Sequence, residues 1–166
     1  MFRLIIRTFL IIFMTTFVLQ AREINIDKLV DSATSSKKHL FLFIHQTDCG
    51  YCVSMIDFTL NNDVIEKYIK KNFIYEHINI RENDVISYKK FKGNGREFAK
   101  HVGYAFYPSS LFFDKNKEII FGEAGYIDSN AMSNERRFYT ILHYIHSKAY
   151  KEKDFDHYTF EIQEEL

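Results

Sequence analysis

The apolar positions along the chain fall into short segments of two kinds, which predict alternating helices and strands. Ile24–Ser35 places Ile24, Ile26, Leu29, Val30 and Ala33 at loose helical spacing, with Asp27 near the start. Lys38–His45 is instead one continuous apolar run, K-H-L-F-L-F-I-H, as expected for a strand covered on both faces. Gln46–Asp48 forms a polar loop. From Tyr51 to Leu60, Cys52, Met55, Ile56 and Thr59/Leu60 share one helical side. Asn62–Lys71 repeats the helical pattern with Val64, Ile65, Tyr68 and Ile69, and Asn61-Asn62 predicts a break between the two. Phe73–Ile80 returns to strand character.

Further on, Asp84–Phe91 is ambiguous and Lys92-Gly-Asn-Gly95 reads as a turn. Arg96–Val102 predicts a short helix ended by Gly103. Ser109–Asp114 and Glu118–Gly122 predict two strands joined by a hairpin at Asp114-Lys-Asn-Lys117. Ser129–Tyr150 predicts a long helix presenting Phe138, Ile141, Leu142 and Ile145. The polar segment Lys151–Leu166 carries Phe155, Tyr158 and Phe160, which either dock on the domain or fray with it. Alternation in the first half argues parallel pairing and the hairpin adds antiparallel strands, so the predicted class is a mixed α/β sandwich.

The first twenty residues change the compartment. Arg3 and Arg7 form a positive start, Thr8–Leu19 is an apolar run, and Ala21 is small. This is the layout of a secretory signal. The alternative is an uncleaved anchor, although Arg7 interrupts the roughly 20 apolar residues that a spanning helix needs. Either reading delivers the domain across a membrane, where disulfides persist. The expected organisation is a leader at 1–21, one domain at 22–150 and an extension at 151–166.

Composition excludes little more. Of 166 residues, 46% are hydrophobic and 27% charged, as in an ordinary globular domain. The 22 basic and 22 acidic residues are interleaved, so no clustered basic surface points to nucleic acid. Two cysteines are too few for a disulfide framework, so their use is local.

Those two are Cys49 and Cys52, in Asp48-Cys49-Gly50-Tyr51-Cys52, after a buried strand and at the start of a helix. The i, i+3 spacing brings the sulfurs within disulfide reach. A thiol at a helix N-terminus meets unpaired N–H groups that favour the thiolate. Cys52, on the packed side, is expected to be less accessible. Cys49 is therefore the expected nucleophile and Cys52 the resolving thiol. A zinc site lacks its four Cys/His ligands, and Val53 stands where c-type haem attachment needs His. Cu(I) handling and an inert disulfide remain as alternatives.

The single proline, Pro108, lies in Phe106-Tyr-Pro-Ser-Ser110 just before a strand, where average usage would give about eight prolines in the chain. It reads either as a plain turn or as a cis Tyr107–Pro108 bond that exposes the Tyr107 backbone. D-C-G-Y-C after an apolar strand, Y-P-S-S-L-F-F-D downstream, a hairpin ending in Gly125-Tyr126 and a long helix together resemble the thioredoxin superfamily. The resemblance covers Lys38–Tyr150 and is nearest to the small exported thioredoxin-like proteins of the SoxW kind. It implies a three-layer α/β/α sandwich with a mixed central sheet, Pro108 as a cis-proline facing Cys49, and Tyr107 contacting substrate. It also implies a periplasmic thiol–disulfide oxidoreductase with no cofactor beyond its own redox-active disulfide. Electrons would come from a membrane thiol-reductase, and the substrates would be oxidised exported proteins.

The chain departs from that family at informative places. The strand position six residues before the first Cys carries a buried acid in thioredoxin proper, and Phe43 stands there. Asp48 replaces the usual Trp and places a negative charge beside Cys49. Gly50 and Tyr51 form a dipeptide seen in exported disulfide isomerases, so Asp48, Gly50 and Tyr51 are the expected tuning residues. Reduction is the favoured direction. His45 reads as a satisfied strand-end residue, and His143 and His146 read as a solvent-facing pair on the last long helix rather than metal ligands.

Overall fold

The computed structural model describes residues 21–128 and 132–164. The expected leader lies outside the described residues except for Ala21.

β2 (His39–His45) is the centre of the molecule because its residues are apolar on both faces. The period of two sends Leu40, Leu42 and Ile44 into one core and Phe41 and Phe43 into the other, all at 1% exposure or less. Burying a side chain of this size contributes about 1.5–3 kcal/mol, so this one strand anchors both layers. β2 pairs in parallel with β3 (Phe73–Asn79) and antiparallel with β6 (Ser109–Phe113), and β6 pairs antiparallel with β7 (Ile119–Ala124). The resulting sheet has the order β3-β2-β6-β7.

One face is covered by α1 (Ile26–Ser35) through Ile26, Val30 and Ala33, and by α4 (Gly95–His101) through Phe98 and Ala99. The opposite face is covered by a short α2 (Gly50–Ser54), α3 (Asp63–Asn72) and α5 (Asn134–His146). There Phe41 stacks on Phe112 at 4.9 Å and meets Tyr75 and Phe138 at 5.1 and 5.5 Å. Two helical layers enclosing a mixed sheet make the expected three-layer sandwich.

Three departures from the sequence reading have physical causes. β1 (Glu23–Asn25), β4 (Val85–Tyr88) and β5 (Phe91–Asn94) form a second sheet in the order β1-β4-β5. The glycines read as a turn at Lys92–Gly95 belong to β5 and the start of α4, where Asn94 and Glu97 form a reciprocal capping box. The turn starts three residues earlier, at Lys89-Lys90, with Lys89 at φ 52° and its N–H held by Asp27. Second, α2 does not run on as an α-helix. Residues Met55–Leu60 are π-helical, with Asn61 N–H donating to Ile56 O at 2.9 Å. Asn61 closes that segment, and Asn62 caps α3 by accepting from Val64 and Ile65. The expected break is there.

Third, α5 starts at Asn134 with Ser133 as its cap and ends at His146. Beyond it, a 3₁₀ turn (Ala149–Lys151) leads into α6 (Phe155–Glu164). Phe155 is buried against Phe121 and Tyr144, Tyr158 is half-buried against Tyr144, and the Tyr144 hydroxyl donates to Lys153 O at 2.6 Å. Phe160 faces outward. Docking thus uses two of the three aromatics.

Candidate active site

The C-terminal end of β2 and the N-terminal end of β6 lie side by side, with Ile44 opposite Ser109. The loop after β2 and the loop before β6 therefore emerge at the same end of the sheet. Asp48, at φ 61°, turns the first loop so that Cys49 caps α2 in extended conformation. The second loop brings in Phe106, Tyr107 and Pro108.

Cys49 and Cys52 form a disulfide with their Cα atoms 5.2 Å apart. Cys49 Sγ accepts the Cys52 N–H at 3.2 Å, the interaction expected of a helix cap. Cys52 is 1% exposed, whereas Cys49 is half-buried, with Asp48, Gly50 and Tyr51 exposed around it. One sulfur is therefore open to an incoming group and the other is screened by the core. Gly50 has no atom within 4 Å of where a Cβ would stand, so space does not demand glycine there.

The Tyr107–Pro108 bond is cis. The Tyr107 carbonyl oxygen lies 3.9 Å from Cys49 Sγ. A disulfide sulfur carries no proton, so this is a contact rather than a hydrogen bond. The Tyr107 N–H donates to no described residue. Both flanks of the loop are pinned: Ser109 Oγ donates to Phe106 O at 2.6 Å, and Gly125 N–H donates to Pro108 O at 2.7 Å. Gly125 has φ 98°, a conformation that suits glycine. Pro108 is buried, while Tyr107 is half-buried and burial raises its phenol, opposed by Arg96.

Two aromatic rings stand out of this surface: Tyr51 at 67% exposure and Phe106 at 78%. Phe106 received no role from the sequence. Its signal would have been an aromatic in a loop two residues before the proline, where a core position is not required.

Phe43 is fully enclosed and stacks on His45 at 5.3 Å. Among the described residues the buried carboxylate is Asp84, which Arg22 holds at 2.9 Å. His45 Nε2 lies 3.1 Å from His77 Nδ1, and burial, then His77, lowers its proton affinity. It is satisfied within the sheet, as the sequence suggests. His45 and His77 also line an apolar cleft of about 560 Å³ with Phe43, Ile56 and Leu60.

His143 and His146 do not form a solvent-facing pair. His146 is exposed, but His143 stacks on Tyr68 at 4.5 Å and meets Tyr139 at 4.7 Å, with Nε2 buried and unpartnered. The correction follows from α3 packing on α5, which supplies Tyr68. Among the described residues no group of three or more His, Cys, Asp or Glu side chains is placed to hold a metal ion.

Residues 26–140 match the family described as thioredoxin-like domain, and the chain belongs to that family. Its fold is similar to a thioredoxin-fold protein from Helicobacter pylori, with a TM-score of 0.58 and 22% identity over 77% of this chain and 81% of that one. A putative disulphide-isomerase from Bacteroides thetaiotaomicron gives 0.54 and 20%, over 81% of this chain and 94% of the other. The disulphide isomerase from Xylella fastidiosa Temecula1 gives 0.52 and 17%, over 72% and 87%. At these identities the likeness shows the fold alone. No protein of curated function matches the sequence.

Proposed function

We propose that the chain is an exported thiol–disulfide oxidoreductase that reduces disulfides on other exported proteins, with Cys49 as nucleophile and Cys52 as resolving thiol. The observation that carries the reading is the asymmetry of the pair: Cys49 is open at a helix N-terminus and Cys52 is 1% exposed. The Cys49 thiolate attacks a substrate sulfur, forming a mixed disulfide and releasing the first substrate thiolate. Cys52, after losing its proton, attacks Cys49 Sγ and releases the second. The disulfide in the structure is the end state of that cycle. A dithiol donor must then return two electrons, and a membrane thiol-reductase is the donor that fits an exported domain. Tyr107, whose carbonyl lies beside Cys49 and whose N–H donates to no described residue, offers backbone to an extended substrate strand, and Tyr51 and Phe106 supply exposed apolar surface for it.

The direction of exchange follows from the reduction potential of the pair, and a value near −270 mV, as in reducing thioredoxins, is the expected one, against about −120 mV for a strong oxidant. Insulin-disulfide reduction tests the mechanism. Cys49→Ser is expected to abolish it, and Cys52→Ser to accumulate mixed disulfides; full activity in Cys49→Ser overturns the assignment. Within the family, the D-C-G-Y-C and Y-P-S-S-L-F-F-D motifs support a place among the exported thioredoxin-like proteins of the SoxW kind.

A further inference from the structure

At the end of the sheet away from the disulfide, four chain segments converge on a cleft of about 430 Å³: the end of α1, the start of β2, the β6–β7 turn and the turn after α5. Lys37, Lys115, Lys148 and Lys151 line it, and all four are exposed. None of the four has a carboxylate partner among the described residues. Asp114, the carboxylate on the wall, is occupied by its own turn, accepting from Asn116 N–H and Glu118 N–H through Oδ1 and from Asn116 Nδ2 through Oδ2. His39 and Tyr150 form part of the lining, edge to face at 5.9 Å.

This arrangement differs from the cationic surface elsewhere. Lys37 and Lys148 have φ of 58° and 66°, a left-handed conformation that usually selects glycine after a helix. Lys89 and Lys117 share that conformation, but each is neutralised, by Glu118 and Asp31 respectively. Among the described residues, it is at the cleft that left-handed lysines stand without carboxylate partners beside further such lysines. Burial lowers the proton affinity of His39; its bond to Phe113 O and the nearby Asp114 oppose that, and Lys148 and His146 add to it. The carboxyl ends of α1 and α5 offset part of the lysine charge, but a helix terminus carries only about half a unit against the four lysines.

We infer that this cleft is a binding site for a small condensed-phosphate anion, a chain of two or three linked phosphates. The donor set selects the ligand. Four ammonium groups on flexible stems, with no arginine fork among them, act as separate point charges and suit several linked tetrahedral phosphates better than one planar carboxylate. The volume lies within the range of small-molecule sites and admits a group of that size. The site is independent of the disulfide, so exchange activity proceeds without it.

Condensed phosphate reaches such a site either as a free chain or as the phosphate tail of a nucleotide, and calorimetric titration of the disulfide-bonded protein separates the two. Tripolyphosphate and ATP are titrated in turn at low salt, with sulfate as the anion control. The expected result is one site per chain, weakened by added salt, and at least tenfold weaker in a Lys37→Gln/Lys148→Gln variant. A Lys67→Gln/Lys100→Gln variant, altered on other surfaces, keeps the affinity. Binding of both ligands assigns the phosphate chain alone, and stronger binding of ATP adds the nucleoside. Absence of binding by either ligand overturns the proposal, as does equal loss in both variants or binding confined to vesicles of anionic lipid. Thermal unfolding of each variant checks that it is folded. Insulin reduction is expected to stay unchanged in Lys37→Gln/Lys148→Gln, which keeps this test separate from that of the oxidoreductase reading.

Discussion

Cys49 Sγ sits 3.9 Å from the carbonyl oxygen of Tyr107 and 3.2 Å from the backbone nitrogen of Cys52. The two neighbours act in opposite senses on a reduced Cys49. The N–H favours a thiolate, while the carbonyl dipole faces it with its negative end. The N–H is the nearer of the two and lies at a helix N-terminus, so the balance favours reactivity at Cys49. Limited alkylation of the reduced protein is expected to label Cys49 about tenfold or more faster than the enclosed Cys52. Peptide mass spectrometry against time reads this directly, and equal rates would remove the asymmetry on which the mechanism rests.

The core on the disulfide side depends on one ring more than on any other. Phe41 is fully buried and touches Phe112, Tyr75 and Phe138 with centroid separations between 4.9 and 5.5 Å. Phe41→Ala is expected to cost about 3–5 kcal/mol, since it removes the transfer energy and leaves a cavity between the sheet and the helical layer that carries Phe138. Chemical denaturation of the oxidised protein gives the value. A loss below about 1 kcal/mol would mean that the neighbouring rings close the space.

Strand β2 was legible because its pattern is local: a continuous apolar run needs no partner to be recognised. The Cys49–Cys52 element and Pro108 were legible for the same reason, as each is a short motif with its own chemistry. β1 was not, because Glu23–Asn25 becomes a strand only by pairing with Val85–Ser87, about sixty residues away. The β4–β5 turn starts three residues before the Lys92–Gly95 segment that reads as one, because Gly93 and Gly95 carry a turn signal and a lysine in left-handed conformation carries none. The π-helical segment is similar: nothing in Met55–Leu60 marks it, and its fixed point, the 2.6 Å bond from Thr59 Oγ1 to Asn134 Oδ1, comes from the far end of the chain. The burial of His143 has no signal in its own helix, because its stacking partner Tyr68 lies on another one.

Gly122 in β7 provides a test of close packing. A Cβ there would lie 2.1–2.5 Å from the hydroxyl and ring of Tyr104, so the strand accepts the tyrosine only because the side chain is missing. Gly122→Ala is expected to destabilise by about 1–3 kcal/mol as Tyr104 is displaced. In a Tyr104→Ala background the same change should cost much less, because the clash has been removed. The double-mutant cycle isolates that coupling, and additive losses would assign the cost to the strand backbone instead.

Three half-buried histidines set the pH dependence of stability. Burial is the leading cause that lowers the proton affinity of His39, His45 and His143 below the ordinary value of 6.5. The unfolded chain therefore binds more protons than the folded one between 6.5 and the depressed folded values. Stability rises with pH wherever the unfolded state holds more protons. The contribution is thus fully present above about 6.5 and is lost as pH falls through that window. His157 works in the other direction, since Asp154 raises its affinity, but it is fully exposed and its effect is screened. Urea unfolding midpoints are expected to fall from pH of about 7.5 to about 5.5. For His143, whose Nε2 is buried without a partner, His143→Phe should reduce that fall while keeping the stacking on Tyr68. An unchanged slope in this variant would place the whole dependence on His39 and His45.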